Sequence, residues 1–218
     1  MTVQSRKLWF SLAGFLCSAA VAISSAFYFP PRFEREPYAT VGRVLARQVS
    51  KTLKSGGEIV AIARDTAAFG QPANDITLQA FSDELKKLQL PSPRIVRLQI
   101  DPLRQSEVPP GDLFELMRKT SANGIIVSIM GPPLLSPEQI SRLGPTHCKV
   151  IAFCPGAMLN SSSLNALFEV GILEAAIVTR APGRPSGRPV AKDFEHLYEV
   201  VVRPSDSTFT SPKAAAAP

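Results

Sequence analysis

Gly124-Ile125-Ile126-Val127-Ser128-Ile129-Met130 carries no charge, and its apolar residues fall on odd and even positions alike. Successive strand residues point to opposite faces of a sheet, so a strand of this kind must be covered on both sides. Four similar runs lie around it: Glu58–Ala63 and Arg94–Ile100 before, Lys149–Phe153 and Glu174–Thr179 after. Between them apolar residues recur at helical spacing over Ile76–Leu88, Leu113–Thr120, Pro137–Leu143 and Leu164–Val170. Val- and Ile-rich strands alternating with helices make a parallel sheet covered on both sides.

The helix starts are marked. Ser136-Pro137-Glu138-Gln139 reads as a capping box with proline at the first helical position. Asp112 with Glu115, and Asp75 before Ile76, read as similar starts, and Gly171 as the cap that ends the fourth helix. Right-handed crossovers then give an α/β fold with a doubly wound, flavodoxin-like parallel sheet in the order 2-1-3-4-5. Leu197–Val202 reads as a sixth, edge strand after the Arg/Pro/Gly loop 180–189.

Upstream of the sheet, Val41, Val44, Leu45, Val49 and Leu53 repeat at helical spacing, with Arg43, Arg47 and Lys51 on another face. This predicts an amphipathic helix over 38–55, stopped by Gly56-Gly57, whose cations meet the membrane or a partner. Before it, Leu8–Phe29 holds no charge over 22 positions, enough to span about 30 Å of hydrocarbon as a transmembrane helix. Arg6 and Lys7 precede this run as in a signal peptide, and Trp9 and Phe27-Tyr28-Phe29 sit where interfacial aromatics sit. The domain plan is therefore 1–29, a membrane anchor or uncleaved signal segment; 30–57, a juxtamembrane basic helix; 58–203, the α/β domain; and 204–218, a disordered Ser/Thr/Pro/Ala tail. A short basic segment normally stays inside, which places the domain outside the cytoplasm, on the periplasmic side.

The formal charge of +6 does not signal nucleic acid. From Glu58 to Val178 ten Lys/Arg face twelve Asp/Glu, while 32–54 holds six basic and two acidic residues. A basic segment beside an apolar helix points to a membrane surface. Three cysteines make no disulfide framework. Cys148 and Cys154 bracket one strand and stand about 20 Å apart when extended, beyond bridging distance, so they read as buried thiols.

No catalytic motif is present. G-x-G-x-x-G after the first strand, G-x-x-x-x-G-K-[ST] and G-x-S-x-G are all missing, and the third strand does not end in the Asp of a phospho-receiver. With two histidines in the chain, neither a metal site nor a cofactor is expected. In doubly wound sheets ligands sit at the carboxyl ends of the strands, near the switch point between the first and third. The loops there give Asp65, Thr66, Gly131 and Asn160 as ligand contacts. Asp65 and Asp101 end adjacent strands, where two carboxylates could bind a metal or share a proton; capping their own loops or pairing with Arg64 or Arg104 is the favoured reading. Arg180, Arg184 and Arg188 suit an anion, lipid headgroups or a partner equally.

The strand–helix order, with Asn123-Gly124-Ile125-Ile126-Val127-Ser128 in particular, resembles the first lobe of type I periplasmic solute-binding proteins, in which a similar strand precedes a ligand loop. The resemblance covers about residues 58–180. That family has two lobes with solute between them, and here there is one, so the resemblance implies a cleft made with a second copy or another subunit. Three classes follow: a membrane-tethered, non-enzymatic binding or accessory protein for a small solute; a structural subunit of a membrane complex; and an enzyme with a dispersed site at the carboxyl edge.

Overall fold

The computed structural model describes residues 34–67, 70–100, 107–156, 161–180 and 194–204. The chain divides into two units, Met1–Glu34 and Arg35–Pro218; the second holds every element below. Among the described residues no helix is long and apolar enough to cross a membrane. The expected span Leu8–Phe29 and the tail from 205 onward lie outside them.

The elements run α1 (Glu36–Thr52), β1 (Ile59–Arg64), α2 (Pro72–Lys87), β2 (Arg94–Leu98), α3 (Pro110–Lys119), β3 (Ile125–Ser128), α4 (Pro137–Leu143), β4 (Lys149–Cys154), α5 (Ser161–Glu169), β5 (Leu173–Thr179), α6 (Phe194–Leu197) and β6 (Tyr198–Val202). They form one six-stranded sheet in the order β2-β1-β3-β4-β5-β6. β1 to β5 pair in parallel, and β6 closes the edge antiparallel to β5. The order is the one expected from the sequence, the sixth strand included.

The two faces of the sheet carry separate layers. α1 and α2 lie on one, over Ile59, Ala61, Ile125, Val127, Ile151 and Phe153. α3 and α4 lie on the other, over Val60, Ile62, Ile126 and Val150, with α5 beside them on Ala152, Cys154 and Ala176. β1 and β3 are buried at every position, as a strand apolar on both faces requires. β2 departs from that reading, because as an edge strand it leaves Arg94, Ile95 and Arg97 exposed.

Proline marks the start of α1, α2, α3 and α4. It fits there because the first helical N–H has no partner within the helix. In α4 the Ser136 hydroxyl accepts from the Gln139 N–H at 3.3 Å, and the Ser136 N–H donates to Gln139 Oε1 at 2.9 Å. That capping box forms as the sequence predicts. Asp75 and Asp112 instead fall within the first turns of α2 and α3, which start at Pro72 and Pro110 without a side-chain cap. Gly171, at φ 80°, ends the turn after α5 with its N–H on the Phe168 carbonyl.

Candidate functional site

The carboxyl ends of β1 and β2 carry a polar network. The Asp65 N–H donates to the Leu98 carbonyl at 2.8 Å, which ties the loop after β1 to the end of β2. The Asp65 carboxylate accepts from the Ala67 N–H at 3.0 Å through one oxygen and from Gln99 Nε2 at 3.3 Å through the other. These donors, the Ala67 N–H foremost and then Gln99, with the nearby Arg97 charge, hold its pKa below the usual carboxylate value. Asp65 is thus an anion whose first task is to cap its own turn. Thr66 donates to the Asp75 carboxylate at 3.1 Å, and Arg97 stands 3.9 Å from the same group. Asn74 closes the network on the Arg64 carbonyl at 3.2 Å.

The neighbouring loop after β3 is built differently. The Ile129 N–H donates to the Ile62 carbonyl at 2.9 Å, continuing the β1–β3 ladder past the last strand residue. The buried Ser128 hydroxyl donates to the Gly131 carbonyl at 2.7 Å and accepts from the Met130 N–H at 3.3 Å. This folds the chain back at Gly131, whose φ of 109° requires glycine. Gly131, Pro132 and Pro133 are all buried.

Of the four expected ligand residues, Asp65 and Thr66 therefore join one network. Gly131 ends the adjacent strand but is buried within its own loop, and Asn160 lies outside the described residues, as do Asp101, Arg184 and Arg188. Arg180 follows β5 at the same edge; its backbone N–H donates to the Leu197 carbonyl at 2.8 Å. Gln99, Arg97 and Asp75 complete the network; the first two were not singled out from the sequence, and Asp75 was read only as a helix start. Arg97 and Gln99 stand two apart, hence on one face of an extended segment, a signal that points to a shared side and not to Asp65. Among the described residues no group of three or more His, Cys, Asp or Glu is placed to hold a metal ion.

No protein-family model matches the sequence, and no curated protein does. Solved structures with a similar backbone layout include a sugar-binding protein of a sugar ABC transporter from Bacillus halodurans (16% identity, TM-score 0.45), covering 65% of this chain and 45% of that one. A putative LacI transcriptional regulator from Bacteroides fragilis matches at 14% identity and TM-score 0.47, over 65% of this chain and 47% of that one. A fructose-binding periplasmic domain of a hybrid two-component system matches at 14% and 0.48, over 76% and 56%. The chain spans about half the length of these structures. The fold itself rests on the strand order and pairing given above.

The three cations on the other face of α1, Arg43, Arg47 and Lys51, have different surroundings. Arg43 is half-buried and pairs with Glu36 on its own helix, while donating to the Thr40 hydroxyl at 2.7 Å. Arg47 Nε donates to Glu84 of α2 at 3.0 Å, and Glu84 is buried. Lys51 is exposed. The apolar side of the helix packs on the sheet as its spacing predicts, with Val41, Leu45 and Val49 fully buried.

Proposed function

We propose that this protein is a membrane-tethered, non-enzymatic binding protein that takes a small polar solute at the carboxyl edge of its sheet, beside the switch between β1 and β3. The observation that carries the reading is the network at the ends of β1 and β2, where Asp65, Thr66, Asp75, Arg97 and Gln99 gather acceptors and donors at the edge where such folds bind ligands. An ionised Asp65 flanked by amide and hydroxyl groups suits a solute that donates hydrogen bonds, such as a polyol or an amine. Gly131 and Asn160 are the further contacts, on the loops of the next strands. The tether is the apolar run Leu8–Phe29, and the domain lies on the periplasmic side. A second copy of the chain or another subunit is the proposed partner across the carboxyl edge. Arg43, Arg47 and Lys51 remain the proposed contacts to membrane or partner, with Lys51 the most accessible.

Calorimetric titration with monosaccharides and amino acids tests the solute reading. Asp65→Asn keeps an oxygen for the Ala67 N–H but removes the charge, and should weaken a bound solute at least about tenfold, since hydrogen bonds to charged groups are worth roughly 1.5–3 kcal/mol. Because the Asp65 pKa is depressed, binding should hold as pH falls toward 4 and fail only in stronger acid. Unchanged affinity in the Asn variant places the solute elsewhere. Mass spectrometry of the membrane fraction tests the tether: an intact N-terminus is expected, and a mature chain beginning near Phe27 would refute it.

A further inference from the structure

The basic residues of the domain are sorted by the direction of its helices. α1 ends at Thr52 before β1 begins at Ile59, α2 at Lys87 before β2 at Arg94, α3 at Lys119 before β3 at Ile125, and α4 at Leu143 before β4 at Lys149. Since β1 to β4 are parallel, all four helix C-termini gather at the amino edge of the sheet. Each carries cations in its last turn: Lys51 on α1, Lys86 and Lys87 on α2, Arg118 and Lys119 on α3, Arg142 on α4. Each also carries an acid in its first turn, Glu36, Asp75, Asp112 and Glu138 in the same order. Every such charge complements the dipole of its own helix. Their common direction gives the domain two unlike edges, although charge along 58–178 is nearly balanced.

The density is greatest where α1 and α2 end. The two helices run parallel: Thr77 Oγ1 donates to the Tyr38 carbonyl at 3.2 Å near their starts, and Arg47 meets Glu84 toward their ends. Lys51, Lys54, Lys86 and Lys87 are exposed there, beside Leu88, which is 38% exposed. Nearby carboxylates offset part of this. Glu84 is buried beneath Arg47 and Lys87, at 3.0 and 3.7 Å, and Asp83 stands 3.9 Å from Lys86. Among the described residues Lys51 and Lys54 have no carboxylate within 4.0 Å.

We propose that this amino edge, centred on Lys51, Lys54, Lys86 and Lys87, docks an acidic protein surface. Exposed lysines grouped at one edge are electrostatically complementary to the carboxylates of a partner. Single-stranded nucleic acid asks for stacking aromatics among the cations; Lys51, Lys54 and Lys86–Gln89 include none. The surface lies at the opposite edge from the solute network and is independent of it; through Lys51 it rests on the proposed partner contact of α1 and gives that partner its chemistry.

The test titrates fluorescent poly-L-glutamate with the detergent-solubilised full chain and reads anisotropy. Binding should weaken about tenfold between 50 and 300 mM salt, as expected for screened surface charge. K86Q/K87Q should lose about fivefold or more, while R35Q, just before the start of α1, loses less than about twofold. K51R/K54R/K86R/K87R should bind as the parent does. If melting shows that K86Q/K87Q is misfolded, K51Q/K54Q takes its place with the same expectation. No binding, or a loss from R35Q as large as that from K86Q/K87Q, overturns the proposal. So does displacement of poly-L-glutamate by duplex DNA or by anionic-lipid micelles at lower charge concentration than by unlabelled poly-L-glutamate, which would reassign the surface to those partners. Loss of this binding with solute affinity unchanged, or the reverse, tells the two sites apart.

Discussion

Cys148 is fully buried, with its Sγ 3.8 Å from the Met117 carbonyl, and Cys154 packs at the end of β4 among Leu164 and Phe168. Burial disfavours a thiolate, so the Cys148 pKa is pushed up to about 11 and that of Cys154 to about 12. The thiolate is the reactive form. At pH 8 only on the order of one Cys148 thiol in a thousand is ionised at such a pKa. Iodoacetamide should therefore leave the 148–154 peptide unmodified in the native protein and alkylate both cysteines in guanidinium, as peptide mass spectrometry would show. Native alkylation within minutes would mean that β4 opens far more readily than its burial implies. At this scale the sequence was informative where one residue type has one use. A cysteine in an apolar run reads as a small hydrophobe, and a glycine after a strand as a turn. Asp65 was legible as a loop cap, because the N–H that it accepts from is two residues away. The Thr66–Asp75 and Asp65–Gln99 contacts span 9 and 34 residues, and no local pattern carries them.

The joint between α1 and α2 turns on Gly42. A methyl group there would run into the Thr77 carbonyl oxygen and lie 2.8 Å from the Phe81 backbone nitrogen and 3.0 Å from Ala80 Cβ. Gly42→Ala sets two effects against each other. Alanine is favoured over glycine inside a helix by about 0.8–1.0 kcal/mol. Overpacking a close contact costs roughly 1–3 kcal/mol, and backbone atoms are the least able to give way. The clash should win, so the variant should melt lower, by roughly 2–8 °C for a domain of this size. A higher melting temperature would mean that the helices can slide apart. The elements themselves were largely legible, because strand order follows from burial on both faces and right-handed crossovers. The errors lie at helix starts. α2 and α3 were read from Asp75 and Asp112, whereas proline begins each helix one turn or less earlier. A proline before an acidic residue fits both a loop and a first turn, and only the packed chain decides between them.

For the whole molecule, the decisive placement is that of α1, which covers the sheet beyond α2. Val41, Leu45, Ala46 and Val49 are fully buried in one core with Ile125, Val127, Ile151, Phe153, Ala175 and Ile177 of the sheet. Burying a Val or Leu side chain fully contributes about 1.5–3 kcal/mol, so Val41, Leu45 and Val49 alone contribute on the order of 5–8 kcal/mol. That is comparable with the roughly 5–15 kcal/mol that separates folded from unfolded domains. Removing the helix would also expose the strand side chains beneath it. The position of α1 ahead of the first strand makes it look like a spacer in sequence, and its amphipathic pattern fits an interfacial helix as well as a core one. The sheet face that it covers settles the matter energetically. A chain starting at Arg35 should melt cooperatively by circular dichroism, whereas one starting at Glu58 should lose the cooperative transition, bind a hydrophobic dye and aggregate. If the shorter chain instead melts cooperatively within a few degrees of the longer one, α1 is an appendage, and its apolar face must be sought against some other surface.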